Sequence, residues 1–135
     1  MSGLVIREVM ARHSPSIPLG TELTLVVEAL LRHKITGLPV VDSEQRVVGF
    51  VSEQDCLRSL LVSSYHCEGA PKVEDVMHRE PLVVSENQSV VDIAEQMVKQ
   101  KPKVYPVVDE HRRLVGLLLR SQVLTALKNN RHRCD

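Results

Sequence analysis

The strongest chemical pattern in this chain is Ser52-Glu53-Gln54-Asp55, which sets a hydroxyl and a carboxylate one helical turn apart. Two chemistries fit that spacing. By itself it is a helix capping box of the [ST]-x-x-[DE] kind, in which serine and carboxylate satisfy the first free amides of a helix. The carboxylate has two oxygens, however, so a cap and a polar ligand can share it. Other candidates are weaker. His13, His33, His66, His78, His111 and His132 form no H-x-x-x-H pair. Cys56, Cys67 and Cys134 form no C-x-x-C pair. Only the adjacent His66-Cys67 and His132-x-Cys134 approach metal spacing, so these side chains read as solvated loop residues rather than a metal site or a disulfide framework. Cys56 follows Asp55, whose charge raises a thiol pKa and argues against a redox role. With no Ser/His/Asp spacing, no Walker loop and no Rossmann glycine cluster, the expectation is that the chain is not an enzyme.

Composition narrows the setting. The chain has 135 residues, 43% apolar, enough for one compact domain or two small ones sharing a core. Seventeen Lys and Arg balance seventeen Asp and Glu, so no net field draws it to nucleic acid or an anionic membrane. Aromatic content is 2%, too little for base-stacking platforms, and the core must be aliphatic. No apolar run approaches the roughly 20 residues needed to span a bilayer, and the N-terminus does not read as a secretory signal. A cytoplasmic protein is expected, touching neither nucleic acid nor membrane.

The elements that must hold Ser52 and Asp55 come in two copies. Pro39-Val40-Val41-Asp42 recurs as Pro106-Val107-Val108-Asp109, Val48-Gly49 as Val115-Gly116, and Val9-Met10 as Val76-Met77, always 67 residues on. Each copy reads as a short extended piece (15–19, 81–84), then a helix with Thr21 or Ser89 as the cap-type residue, running to about Arg32 or Gln100. A hairpin follows, with strands 38–41 and 47–51, or 105–108 and 114–119, around a polar turn. A second helix carries an apolar stripe, Cys56, Leu57, Leu60 and Leu61, or Val123, Leu124 and Leu127. Residues 1–62 form the first motif, 63–71 a surface connector, 72–128 the second motif, and 129–135 a disordered basic tail. The expected class is α+β: two β-α-β-β-α motifs related by a pseudo-two-fold axis and packed through their sheets, since neither copy of about 55 residues buries its sheet alone.

On these residues the chain resembles a tandem cystathionine-β-synthase (CBS) domain pair, or Bateman module. The features that carry the likeness are the Val-Met opening of each copy, Gly37-Leu38-Pro39-Val40-Val41-Asp42, Val47-Val48-Gly49-Phe50-Val51, and Ser52-x-x-Asp55-x-Leu57. The resemblance implies a regulatory module that binds AMP, ADP, ATP or another adenosyl ligand, needs no cofactor for catalysis, associates as a homodimer and signals to an unknown regulated protein. It also implies the site. Asp55 would accept from the ribose hydroxyls and Ser52 would face the phosphates. Gly37 and Pro39 would lie along the base and sugar, with Thr36 as a further ligand contact. Met77, Pro81 and Leu82, from the other copy's opening segment, would form the opposing wall. Lys103, equivalent to Thr36, would contact a phosphate. In the second copy Leu119, Gln122 and Val104 replace Ser52, Asp55 and Gly37, so one occupied site per chain is expected. The alternative is a purely structural dimerisation module without a nucleotide.

Overall fold

The run Gly37-Leu38-Pro39-Val40-Val41 is apolar throughout, and such a strand needs cover on both faces. In the structure, a computed structural model describing residues 3–66, 71–99 and 103–130, it is fully buried as the middle strand of a three-stranded sheet. Strand β1 (Ile17–Pro18) lies parallel to β2 (Gly37–Val41), and β3 (Val47–Ser52) lies antiparallel, pairing Gly37 with Ser52 and Pro39 with Phe50. Between β1 and β2 runs α1 (Leu23–His33), which buries Leu23, Val26, Ala29 and Leu30 on one face. It ends on Lys34 in the left-handed conformation, φ 54°. Helix α2 (Glu53–His66) follows β3 without a break.

The second repeat repeats this order: β4 (Val84–Ser85), α3 (Val90–Lys99), β5 (Val104–Val108), β6 (Leu114–Leu119) and α4 (Arg120–Asn130), with sheet order β4-β5-β6. The recurrent aspartates shape the hairpin turns. Asp42 Oδ1 accepts from the Glu44 and Arg46 amides at 2.9 Å, and Asp109 Oδ1 from the His111 amide at 2.8 Å. Those backbone amides, that of Arg46 foremost, hold the Asp42 carboxyl below its ordinary pKa. Gln45 and Arg112, again 67 apart, both adopt positive φ in these turns.

Sequence repeat and compact unit do not coincide. One unit comprises Pro15–Pro81 with Arg112–Leu114, the other Met1–Ser14, Leu82–His111 and Val115–Asp135. Each repeat's opening segment therefore completes the core of the other repeat. Val73, buried in a short 3-10 turn (Val73–Asp75), donates to the Thr21 carbonyl at 2.8 Å, and Leu23 donates to the Pro71 carbonyl at 2.9 Å. Ile6, in the matching turn Ile6–Glu8, donates to Gln88 at 3.0 Å, and Val90 donates to Leu4 at 3.0 Å. Farther on, His78 exchanges two backbone hydrogen bonds with Phe50, at 2.8 and 2.9 Å, and Ala11 exchanges two with Leu117. The Val-Gly repeat finds its reason here. A Cβ on Gly49 would stand 2.8 Å from the His78 carbonyl oxygen, and one on Gly116 would stand 2.6 Å from that of Ala11. Only glycine lets the opening segments lie this close.

Several expectations need correction. Thr21 does not cap α1: the N-cap is Glu22, without a side-chain bond, and the Thr21 hydroxyl donates to the Pro18 carbonyl at 2.7 Å. The Ser63–Pro71 segment is not all loop, because α2 continues to His66, while residues 67–70 lie outside the described residues. The tail does not begin at 129, since α4 runs through Asn130; residues 131–135 lie outside the described residues. The apolar stripes expected on the second helices fall on α2 and α4 and are mostly exposed: Cys56 and Val123 are buried, but Leu57, Leu60, Leu61, Leu124 and Leu127 are exposed. Among the described residues no helix is long and apolar enough to cross a membrane.

The Gly49 contact predicts that Gly49→Val destabilises the chain in urea titration by roughly 1–3 kcal/mol, the range of core overpacking. Gly3→Ala, where an added Cβ meets nothing within 4 Å, is the control that should leave the midpoint unchanged.

Candidate functional site

Asp55 is the one polar or charged residue buried among the described residues, with 6% of its surface exposed. Its two oxygens do different work. Oδ2 accepts from the Ser52 amide at 3.0 Å and from the Ser52 hydroxyl at 2.9 Å, and Ser52 Oγ stands 3.2 Å from the Asp55 amide. That is the capping box expected at the start of α2. Oδ1 takes no part in it. It faces His78 Nε2 at 3.4 Å and Arg58 Nη1 at 3.7 Å, two side chains that are 68% and 69% exposed. The site is thus a buried carboxylate whose outward oxygen is held by two exposed, basic side chains.

Arg58 and His78 were not among the site residues expected from sequence, and His78 is not the unengaged loop residue that a lone histidine suggests. Arg58 had a local signal, since i,i+3 spacing on a helix brings a cation beside a carboxylate. His78 had none. It stands 23 positions from Asp55 and is delivered by the backbone pairing with Phe50 that Gly49 permits.

The other expected residues fall in two groups. Thr36, Gly37, Pro39, Met77 and Pro81 share the unit of Ser52 and Asp55, whereas Leu82 and Lys103 belong to the other unit. Gly37 and Pro39 are buried and Thr36 is exposed, its carbonyl accepting the first α2 amide, that of Glu53, at 2.9 Å. Lys103 plays the same backbone part for Arg120 at 3.1 Å. Met77 is partly buried and packs on the core around Leu38 and Val51. The absence of a side chain at Gly37 is explained by packing: a Cβ there would run into the edge of the Phe50 ring and lie 3.3 Å from the Val51 carbonyl oxygen. In the second repeat the equivalent pair is Val104 and Leu117, the larger residue now at the first position and a smaller one at the second.

Gln122, the counterpart of Asp55, keeps half of its duty. Its Oε1 accepts from the Leu119 amide at 2.8 Å, as Asp55 Oδ2 does from Ser52. Where Asp55 offers a second acceptor, however, Gln122 has an amide nitrogen that only donates. It lines a cavity of about 410 Å³ with Leu4, Glu8, Val9, Ser121 and Thr125. In the first unit a smaller, mostly apolar cavity of about 270 Å³ lies between α1 and α2, lined by Val27, Leu30, Leu31, Cys56, Leu57 and Leu60. Among the described residues no group of three or more His, Cys, Asp and Glu is placed to hold a metal ion.

The CBS domain family model matches the chain twice, at residues 6–62 and 73–129, and the chain belongs to that family as a tandem pair. The CBS domain-containing protein CBSX1, chloroplastic, of Arabidopsis thaliana is 30% identical over 131 residues, covering 78% of this chain and 56% of that protein. A crystal structure of CBSX2 in complex with AMP is 30% identical, with a TM-score of 0.82, over 96% of this chain and 99% of that one. L-aspartate semialdehyde sulfurtransferase of Methanocaldococcus jannaschii is 26% identical over 116 residues, but the match spans only 21% of its length. The chain thus spans about half or less of these two curated relatives.

Two outcomes follow from the geometry. Ser52→Ala, which removes the hydroxyl from the cap, should lower stability by about 0.5–2 kcal/mol in chemical denaturation. Cys56 is buried and its thiol is pushed up to about 11, first by burial and then by the charges of Asp55 and Glu53. At pH 7 only about one molecule in ten thousand then carries the thiolate. Peptide-resolved alkylation should therefore leave Cys56 unmodified at pH 7, with labelling rising about tenfold per pH unit toward pH 10.

Proposed function

We propose that the chain is a regulatory module that binds an adenine nucleotide at Asp55 and passes the ligand state to a protein partner. The observation that carries this reading is the outward Oδ1 of Asp55: a buried acceptor, left over from the cap, at the residue that the CBS resemblance assigns to a ribose. The AMP complex of the 30% identical CBSX2 supports the ligand class. Ser52, Thr36, Gly37, Pro39, Met77, Pro81, Leu82 and Lys103 are the proposed further contacts, with AMP, ADP or ATP as ligand. Gln122 lacks the second acceptor, so one ligand per chain is proposed. The module does no catalysis of its own, needs no cofactor, works in the cytoplasm and engages neither nucleic acid nor membrane.

Calorimetry with AMP, ADP and ATP tests the reading. One site per chain is expected, lost in Asp55→Ala, with the melting temperature raised by AMP or ATP but not by GTP; a ligand at 100 times its Kd stabilises by about 2.7 kcal/mol. Two equivalent sites, or unchanged affinity in Asp55→Ala, would overturn it.

A second role, homodimerisation, is favoured by the apolar cavity between α1 and α2 and by exposed Leu31, Leu57, Leu61 and Val62 beside it. Sedimentation equilibrium should give a dimer for the unaltered chain and a monomer for Leu57→Glu/Leu61→Glu. A monomer in both cases refutes this role and leaves nucleotide binding untouched.

A further inference from the structure

We infer that Arg58 and His78 form a releasable clasp: a ribose diol displaces them from Asp55, and they then hold the phosphate on the 5′ carbon of the same ligand. This rests on the reading of Asp55 as the ribose acceptor, and it adds how the site tells one adenosyl ligand from another.

The argument starts with valence. Asp55 Oδ2 already accepts from two donors of Ser52, at 3.0 and 2.9 Å, and the start of α2 depends on them. The diol is left with Oδ1, which can accept two hydroxyls. Those positions are where His78 Nε2 and Arg58 Nη1 stand, at 3.4 and 3.7 Å. Ligand and clasp therefore compete for one oxygen.

The clasp is built to yield. Charge-assisted bonds to a carboxylate run at about 2.7–2.9 Å, so both contacts are loose. Both side chains are about two-thirds exposed, and ion pairs of that kind hold weakly against solvent. Among the described residues, neither side chain makes another bond that release would break. Arg79, next along the chain, is engaged elsewhere, its Nη2 donating to the Glu74 carbonyl at 3.0 Å. The two basic groups freed by the diol are thus Arg58 and His78, anchored on α2 and on the segment paired to β3.

Once displaced, they remain beside the sugar. A phosphate on the 5′ carbon lies one ribose ring away, within the swing of an arginine side chain, and brings the negative charge that the clasp has lost. An uncharged 5′ group brings none. A sulfonium there, as in an S-adenosyl compound, sets a positive charge beside the Arg58 guanidinium. The site should therefore rank AMP above adenosine, and adenosine above S-adenosylmethionine.

Calorimetry at pH 7.5 with these three compounds tests the ranking in the unaltered chain and in Arg58→Gln, His78→Gln and the double variant, with melting curves confirming that each folds. The expected result is AMP tighter than adenosine by about tenfold or more, the scale of a bond to a charged group. The double variant should lose that advantage while binding adenosine as well as or better than before, because its competitor for Oδ1 is gone. If the double variant keeps the AMP preference, or gains affinity for AMP and adenosine alike, the phosphate half of the clasp is wrong. Adenosine or S-adenosylmethionine binding more tightly than AMP overturns it as well. Failure of the parent reading looks different: Asp55→Ala then leaves every affinity unchanged.

Discussion

A backbone carbonyl laid against a glycine is the contact on which the first-repeat unit depends. The His78 oxygen meets Gly49 at a distance that excludes any Cβ, and from that approach follow the His78–Phe50 backbone pairing, the seating of Met77 on the core and the delivery of an imidazole to Asp55. The same contact recurs between Ala11 and Gly116. Because each opening segment serves the other repeat, the residues that complete a core are separated in sequence from the strands they cover. Chain connectivity ties the two repeats together independently of any surface interaction.

The division of labour within Asp55 follows from the start of α2. A helix that begins directly on the last residue of a strand has free amides in a nearly buried place, and these must find acceptors. One carboxylate oxygen meets that need. A carboxylate cannot be buried by half, so the other oxygen enters the same environment and requires partners of its own. Gln122 shows the economical alternative: an amide supplies the capping oxygen without a charge. If capping were the whole purpose at position 55, glutamine would serve there too. The negative charge at Asp55 is in excess of what the helix needs, and it faces outward.

The sequence legibly carried most of the fold. The hairpin strands were bounded to within one residue, because a fixed offset let each copy check the other, and the polar turn was marked by Asp42 and Asp109, whose side chains bond the turn amides. What sequence could not convey was which segment covers which strand. Val76-Met77 reads as the opening of the second copy, yet it packs on the first, and nothing local marks such an exchange. Helix caps misled in one place because Thr21 has the right side chain but spends it on Pro18. The apolar stripes of α2 and α4 were read correctly as stripes, but periodicity reports amphipathicity rather than which face is covered. At the site, Ser52 and Asp55 were legible from their spacing, whereas His78 depended on a backbone pairing between distant segments. Gly37 was legible as a required glycine, but the body that needs the space is Phe50, whose ring lies across it from the next strand.

The partners of Asp55 also bear on the ligand role proposed for it. A carboxylate at 6% exposure needs partners, since buried charge without them is costly. Ser52 gives Oδ2 two partners, at 3.0 and 2.9 Å, both internal to the cap. Oδ1 is left to two flexible side chains that reach in from solvent. Under the proposed clasp, binding would exchange partners on Oδ1 alone and leave the cap on Oδ2 intact. In that reading the capped oxygen sets the geometry, and the loosely held one sets the selectivity.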